Sequence, residues 1–147
     1  MKKKVLLIGC GHMGSALARS WIKSKQYSIN IVDPIKYSSL KKQYKSSDLK
    51  IFNSIHKVRK YESFDIIIVA TKPSDLIIVL ENLSNYTFKS DVNFISVVAG
   101  KKINLFEKKL KKINNFFRIM PNLPATIGES MSCIFSKKKV SQKNQNE

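Results

Sequence analysis

The clearest chemistry in this sequence lies in Gly9-Cys10-Gly11-His12-Met13-Gly14, a G-x-G-x-x-G run where a short apolar segment hands over to a helical pattern. Each glycine has its own task. Gly9 permits a tight turn, Gly11 lets the backbone come close to a pyrophosphate, and Gly14 allows close packing of helix on strand. The N–H groups at the helix start then face the phosphates, with the positive end of the helix dipole behind them. No carboxylate occurs between Met1 and Asn30 to repel such an anion. Asp33 follows 24 positions after Gly9, near the spacing at which a dinucleotide fold sets an acid against the adenosine ribose hydroxyls. A carboxylate there disfavours a 2′-phosphate, so the cofactor is NAD(P)H with NADH slightly favoured, although Lys36 and Lys41 could compensate by charge. The plainer readings are a glycine turn that only joins strand to helix, and an aspartate that only starts the Asp33-Pro34 turn.

Other reactive side chains carry less. Cys10 reads as a small spacer in the loop rather than a nucleophile, and His12 as a backbone-positioned spacer. His56 reads as a surface residue. Cys10 and Cys133 have no partner cysteines or histidines at metal-ligand spacing, so they are expected to be free thiols and no metal site is expected. None of these side chains is expected to be catalytic.

The elements that must position the glycine loop follow from hydrophobic patterning. Apolar, β-branched stretches at Lys4 to Gly9, Ser28 to Asp33, Lys50 to Phe52, Asp65 to Thr71, Asn93 to Val98 and Asn115 to Met120 read as strands. Ile66-Ile67-Ile68-Val69-Ala70 is apolar without alternation, as a strand covered on both faces would be. Helical spacing is found at Met13 to Lys25, Tyr37 to Lys45, Ser74 to Leu83 and Asn104 to Lys111, the third starting after Pro73. Trp21, on the first of these, is expected in the core. This alternation predicts an α/β fold, a doubly wound Rossmann-type mostly parallel sheet with helices on both faces. Residues 1–136 are expected to form that domain. From Lys137 onward only one apolar residue remains, so residues 137–147 read as a polar tail or the start of a linker helix.

Composition narrows the class. The chain has 147 residues, 43% of them hydrophobic and 25% charged, which argues against disorder. Its longest apolar runs fall far short of the roughly 20 residues of a membrane span, and the N-terminus lacks a secretory pattern, so the expected location is cytoplasmic with no membrane partner. A net charge of +17 would suit a polyanion. Yet only Arg19, Arg59 and Arg118 are arginines and the lysines are spread along the chain, marking out no single basic face, so no nucleic-acid partner is expected.

Four segments, in order, resemble pyrroline-5-carboxylate reductase, the last enzyme of proline synthesis. They are residues 6–17 with the glycine loop, Ala70-Thr71-Lys72-Pro73, Ser96-Val97-Val98-Ala99-Gly100, and Arg118-Ile119-Met120-Pro121-Asn122-Leu123-Pro124-Ala125 followed by Ile127-Gly128. The last is the most specific, and the resemblance runs from Lys4 to about Phe135. It implies that Ala70, Thr71, Lys72, Pro73, Ala99 and Gly100 border the nicotinamide half of the cofactor and that Asn122 approaches the active-site mouth. It also implies hydride transfer from NAD(P)H to a small cyclic imine, 1-pyrroline-5-carboxylate, giving L-proline. Members of the family continue into a helical domain that dimerises and supplies most substrate contacts. The chain by itself is therefore expected to bind cofactor but turn over little substrate, and a homo-oligomer is expected only for a form with that domain. Many members lack an acid at the Asp33 position and favour NADP. The alternatives are a noncatalytic dinucleotide-binding sensor and another imine or hydroxyacid reductase, the Met120-Pro121-Asn122-Leu123-Pro124 run counting against the latter.

Overall fold

A computed structural model of the chain describes residues 2–44, 48–121 and 132–136. The six expected strands are present as β1 (Lys3–Ile8), β2 (Tyr27–Val32), β3 (Leu49–Phe52), β4 (Ile66–Val69), β5 (Asn93–Ser96) and β6 (Asn115–Pro121). A seventh, β7 (Ser132–Phe135), was not anticipated. They form one sheet in the order β3-β2-β1-β4-β5-β6-β7, parallel throughout except that β7 runs antiparallel to β6. This is the expected doubly wound Rossmann-type sheet. The chain moves outward from β1 to β3, returns, and moves outward the other way from β4, so the order reverses between β1 and β4. At that point the loops beyond the two strands diverge to opposite faces and leave a crevice at the carboxyl edge.

Among the described residues four helices cover the sheet: α1 (His12–Ser24), α2 (Tyr37–Gln43), α3 (Leu76–Ser84) and α4 (Ile103–Lys109). On one face Ala18 of α1 and Leu40 of α2 pack with Val5, Leu7, Ile29, Ile31, Ile66 and Ile68. On the other, Leu76, Val79, Leu80 and Leu83 of α3 and Ile103 and Phe106 of α4 pack with Leu6, Ile8, Ile67, Val69, Phe94 and Phe116. Alternate residues of one strand thus enter different cores, and for β4 all four are buried, which is why its sequence shows no polar alternation. The β3–β4 connection crosses the second face without an α-helix. Its short 3₁₀ turns bury Ile55 and Tyr61, and the Tyr61 hydroxyl donates to the Ile55 carbonyl at 2.7 Å while its ring stacks on Tyr86 at 4.0 Å.

Several boundaries shift by one to three residues, two of them beside the glycine loop, and one burial differs from expectation. β4 ends at Val69 rather than Thr71, because the chain turns away after the Ala70 N–H bonds the Ile8 carbonyl at 2.8 Å. α3 begins at Leu76, not Ser74, since residues after Pro73 first close a turn with Asp75 N–H on the Lys72 carbonyl at 3.1 Å. Trp21 is partly rather than fully buried, leaning on Tyr27 with ring centroids 6.2 Å apart at an apolar recess of about 130 Å³ on the flank of the sheet. That recess lies against the sheet face, not at the carboxyl edge. The expected tail, residues 137–147, and most of the Met-Pro-Asn segment lie outside the described residues.

Candidate cofactor site

The carboxyl edge is built first by the glycine loop. Gly9 adopts φ +91°, a backbone region closed to most side chains, and its N–H donates to the Val32 carbonyl at 2.9 Å. A Cβ there would also meet the Ala70 carbonyl oxygen at 2.7 Å, so the β1 and β4 exits touch backbone to backbone. At Gly14 a Cβ would stand 2.2 Å from the Gly9 carbonyl oxygen. These two glycines are demanded by the fold. Gly11 is not: it has an ordinary φ of −65°, it is exposed, and nothing lies within 4 Å of where its Cβ would be. Open space stands in front of the backbone at the start of a 13-residue helix that has no acid in its first turn.

The loop is held from below. Ser15 Oγ donates to the Cys10 carbonyl at 2.8 Å, and the Ser15 N–H to the Gly11 carbonyl at 2.9 Å. Cys10 is buried and free. Burial pushes its thiol pKa up against the opposing effect of the Ser15 hydroxyl, so it stays protonated and serves as a small filler. His12 opens α1 and is exposed, with Met13 partly buried behind it.

Asp33, just past β2, is buried with 8% exposure. Its Oδ2 accepts the Cys10 N–H at 2.7 Å, while Oδ1 accepts the N–H groups of Ile35 at 2.9 Å and Lys36 at 2.8 Å. The carboxylate therefore bolts the glycine loop to the β2–α2 turn. Its part in that turn and its closeness to the loop are properties of the same two oxygens.

Ala70 and Thr71 stand opposite Gly9, and the Thr71 Oγ1 is buried without a hydrogen-bond partner among the described residues. Lys72 and Pro73 continue from it, exposed to solvent. The pairing of Val69 with Ser96 brings the β5 exit alongside, where Ala99 and Gly100 are exposed and Gly100 turns with φ +69°. Asn122 lies outside the described residues. The sequence reading overlooked Asn53, the residue directly after β3, whose Oδ1 is likewise buried and unpartnered among the described residues. The signal for it was position alone: a polar residue at the carboxyl end of a parallel strand beside Asp33, whose N–H bonds the Phe52 carbonyl at 3.1 Å. Gly11, Asn53 and Thr71 together fit an extended ligand lying across the strand ends, with open space at the helix start and unmet polar atoms on either side. Among the described residues no group of three or more His, Cys, Asp or Glu could hold a metal, and no helix is long and apolar enough to cross a membrane.

Comparison with known proteins agrees with this geometry. The chain is 35% identical over 133 residues to the pyrroline-5-carboxylate reductase of Methanosarcina acetivorans, covering 90% of this chain and 48% of that protein. It is 27% identical to the Escherichia coli enzyme, with 91% and 49% covered. The chain thus spans about half the length of the curated relatives it matches. The crystal structure of Plasmodium falciparum pyrroline carboxylate reductase with NADP bound superposes with a TM-score of 0.75 at 26% identity, covering 98% of this chain and 52% of that one. The A. aeolicus prephenate dehydrogenase, at 19% identity and a TM-score of 0.77 over 99% of this chain and 55% of that one, shares the fold. Residues 4–100, two thirds of the chain and all of the sheet from β1 to β5, match the family described as NADP oxidoreductase coenzyme F420-dependent, and the chain belongs to that family.

Proposed function

We propose that this chain is the dinucleotide-binding half of a cytoplasmic pyrroline-5-carboxylate reductase, holding NAD(P)H for reduction of the cyclic imine to L-proline. One observation carries the reading: Gly11 is a glycine that the fold does not need, at the one place where backbone must approach a pyrophosphate. The likeness to reductases of this specificity over 90% of the chain supports the substrate class.

In this reading the α1 N–H groups receive the pyrophosphate, since the first turn of a helix has donors without partners. Thr71 Oγ1 and the backbone at Ala70, Ala99 and Gly100 line the nicotinamide half, and Asn53 Oδ1 faces the adenosine half. The bound nicotinamide supplies the hydride. These groups orient it and fix which ring face is presented, a positioning task in which misplacement of about 1 Å can cost a hundredfold in rate. The free thiols of Cys10 and Cys133 suit a reducing compartment.

Titration of the purified chain with NADH and NADPH, followed by nicotinamide fluorescence, should give saturable binding. Gly11→Val should abolish it while leaving the unfolding midpoint nearly unchanged, because the added side chain fills ligand space rather than protein. Unchanged affinity in Gly11→Val would move the site elsewhere.

A further inference from the structure

We infer that the open face of the sheet over β4 to β7 is a docking surface for one amphipathic helix with an apolar seam and acidic flanks, presented by a partner polypeptide. On one side α1 and α2 stand over β1 to β3, and α3 and α4 pack on the opposite face, so among the described residues no helix covers β4 to β7 on the α1 side. That surface is apolar all the same. Leu17 and Trp21 of α1 form one wall, Ile95, Phe117 and Ile119 the floor, and Ile134 of β7 the far rim with 56% exposure. None of the twelve side chains lining this recess is charged, although a quarter of the whole chain is. Depletion of charge at the centre of an apolar patch marks a protein interface rather than ordinary solvent-facing surface.

The width of the surface sets the occupant. Neighbouring strands lie about 4.8 Å apart, so β4 to β7 span about 14 Å, room for one helix of about 10 to 12 Å diameter and not for two. The strands, four to seven residues long, match a helix of about three turns. Leu17 and Trp21, four positions apart on α1, give its seam a side wall to pack against. A second copy of this chain fits poorly. Among the described residues its helices bury their apolar stripes in their own cores, leaving Ile77 and Ile78 of α3 as the exposed large apolar residues on them, and each copy carries the same net charge of +17. Residues 137–147 contain one apolar residue, Val140, too few for a seam. The charge of +17 favours a partner with acidic flanks, which is attracted on approach and held in one orientation.

Trp21 is the only tryptophan in the chain and lines the recess, so its emission reports occupancy directly. The chain is titrated with three synthetic peptides of about 14 residues: a helix with leucines along one face and glutamates elsewhere, the same helix with lysines for glutamates, and a scramble of the acidic one. The acidic helix should give a saturable blue shift and bind at least about tenfold more tightly than either other peptide, its lead over the lysine helix narrowing as salt rises. Ile134→Asp and the β-branched Ile134→Thr, at an exposed position, should weaken it with the unfolding midpoint unchanged, the aspartate by about tenfold or more, while Ile78→Asp on the outer side of α3 should leave it as in wild type. The inference is overturned by no saturable shift with the acidic helix, by equal or tighter binding of either other peptide, or by an affinity unmoved in both Ile134 variants. A concentration-dependent dimer in sedimentation that Ile134→Asp abolishes would give the face to a second copy and overturn it as well.

Discussion

At the scale of single residues, three glycines of one motif answer to different forces. Gly9 is fixed by its own backbone angle and by the β4 exit, Gly14 by the Gly9 carbonyl, and Gly11 by neither, since nothing lies within 4 Å of where its Cβ would be. Substitution should separate them. Gly9→Ala forces a side chain into a positive-φ turn and onto the Ala70 carbonyl, and should lower stability by about 2 to 4 kcal/mol in urea denaturation. Gly11→Val, in contrast, should act on binding alone. Asp33 is a second case in which position in a motif does not settle the task. Removing its carboxylate strands the buried Cys10 N–H and frees two turn amides, so Asp33→Ala should cost about 1 to 3 kcal/mol even with no nucleotide present. A variant as stable as the wild type would show that the clamp contributes nothing to the fold.

At the scale of elements, the sheet is tied together at its amino edge by Asp65, which immediately precedes β4. One oxygen accepts the Lys4 N–H of β1 at 2.8 Å and the other pairs with Lys89, which precedes β5, so a single side chain spans three neighbouring strands. Burial works against its ionisation, but the bonds from Lys89 and Lys4 outweigh that and hold the carboxyl below its usual range. A group whose pKa is depressed in the folded state contributes stability above its unfolded value, near 4, and loses it as pH falls through the folded value. Asp65→Asn should therefore destabilise by about 1 kcal/mol at pH 7, a modest figure because the pair is one-third exposed. The gap from wild type should shrink as pH drops below about 4. Thermal melts of both proteins from pH 7 to pH 3 test this, and a gap that stays constant would exclude the linkage.

At the scale of the molecule, the described residues form one doubly wound sheet whose carboxyl edge offers glycines, backbone amides and cations along a single wall. A cyclic imine needs to be held from the side opposite the nicotinamide, and orientation with water exclusion can account for about 7 to 11 kcal/mol of barrier lowering. Residues 1–147 should accordingly bind NAD(P)H yet oxidise it in the presence of 1-pyrroline-5-carboxylate far more slowly than the usual 1 to 1000 per second or so. Turnover within that range, measured as imine-dependent loss of the NADPH absorbance, would show that this length of chain, alone or self-associated, builds the whole pocket.

The first six strands and the place of the glycine loop were legible in the sequence because their signals are local. Ile66 to Val69 must be a strand buried on both faces, and Gly9 to Gly14 can end a strand and start a helix with no reference to anything distant. β7 gave no such signal, being four residues whose strand character depends on pairing Cys133 with Met120 and Ile134 with Ile119. Asp33 could be placed at the end of β2 from spacing, but not the direction of its oxygens. Those are set by the Cys10 N–H, 23 positions earlier, which becomes a neighbour only once β1 and β2 pair. Hydrophobic periodicity encodes which residues leave water, whereas the partner of a buried charge is decided by the packing of segments that periodicity does not relate.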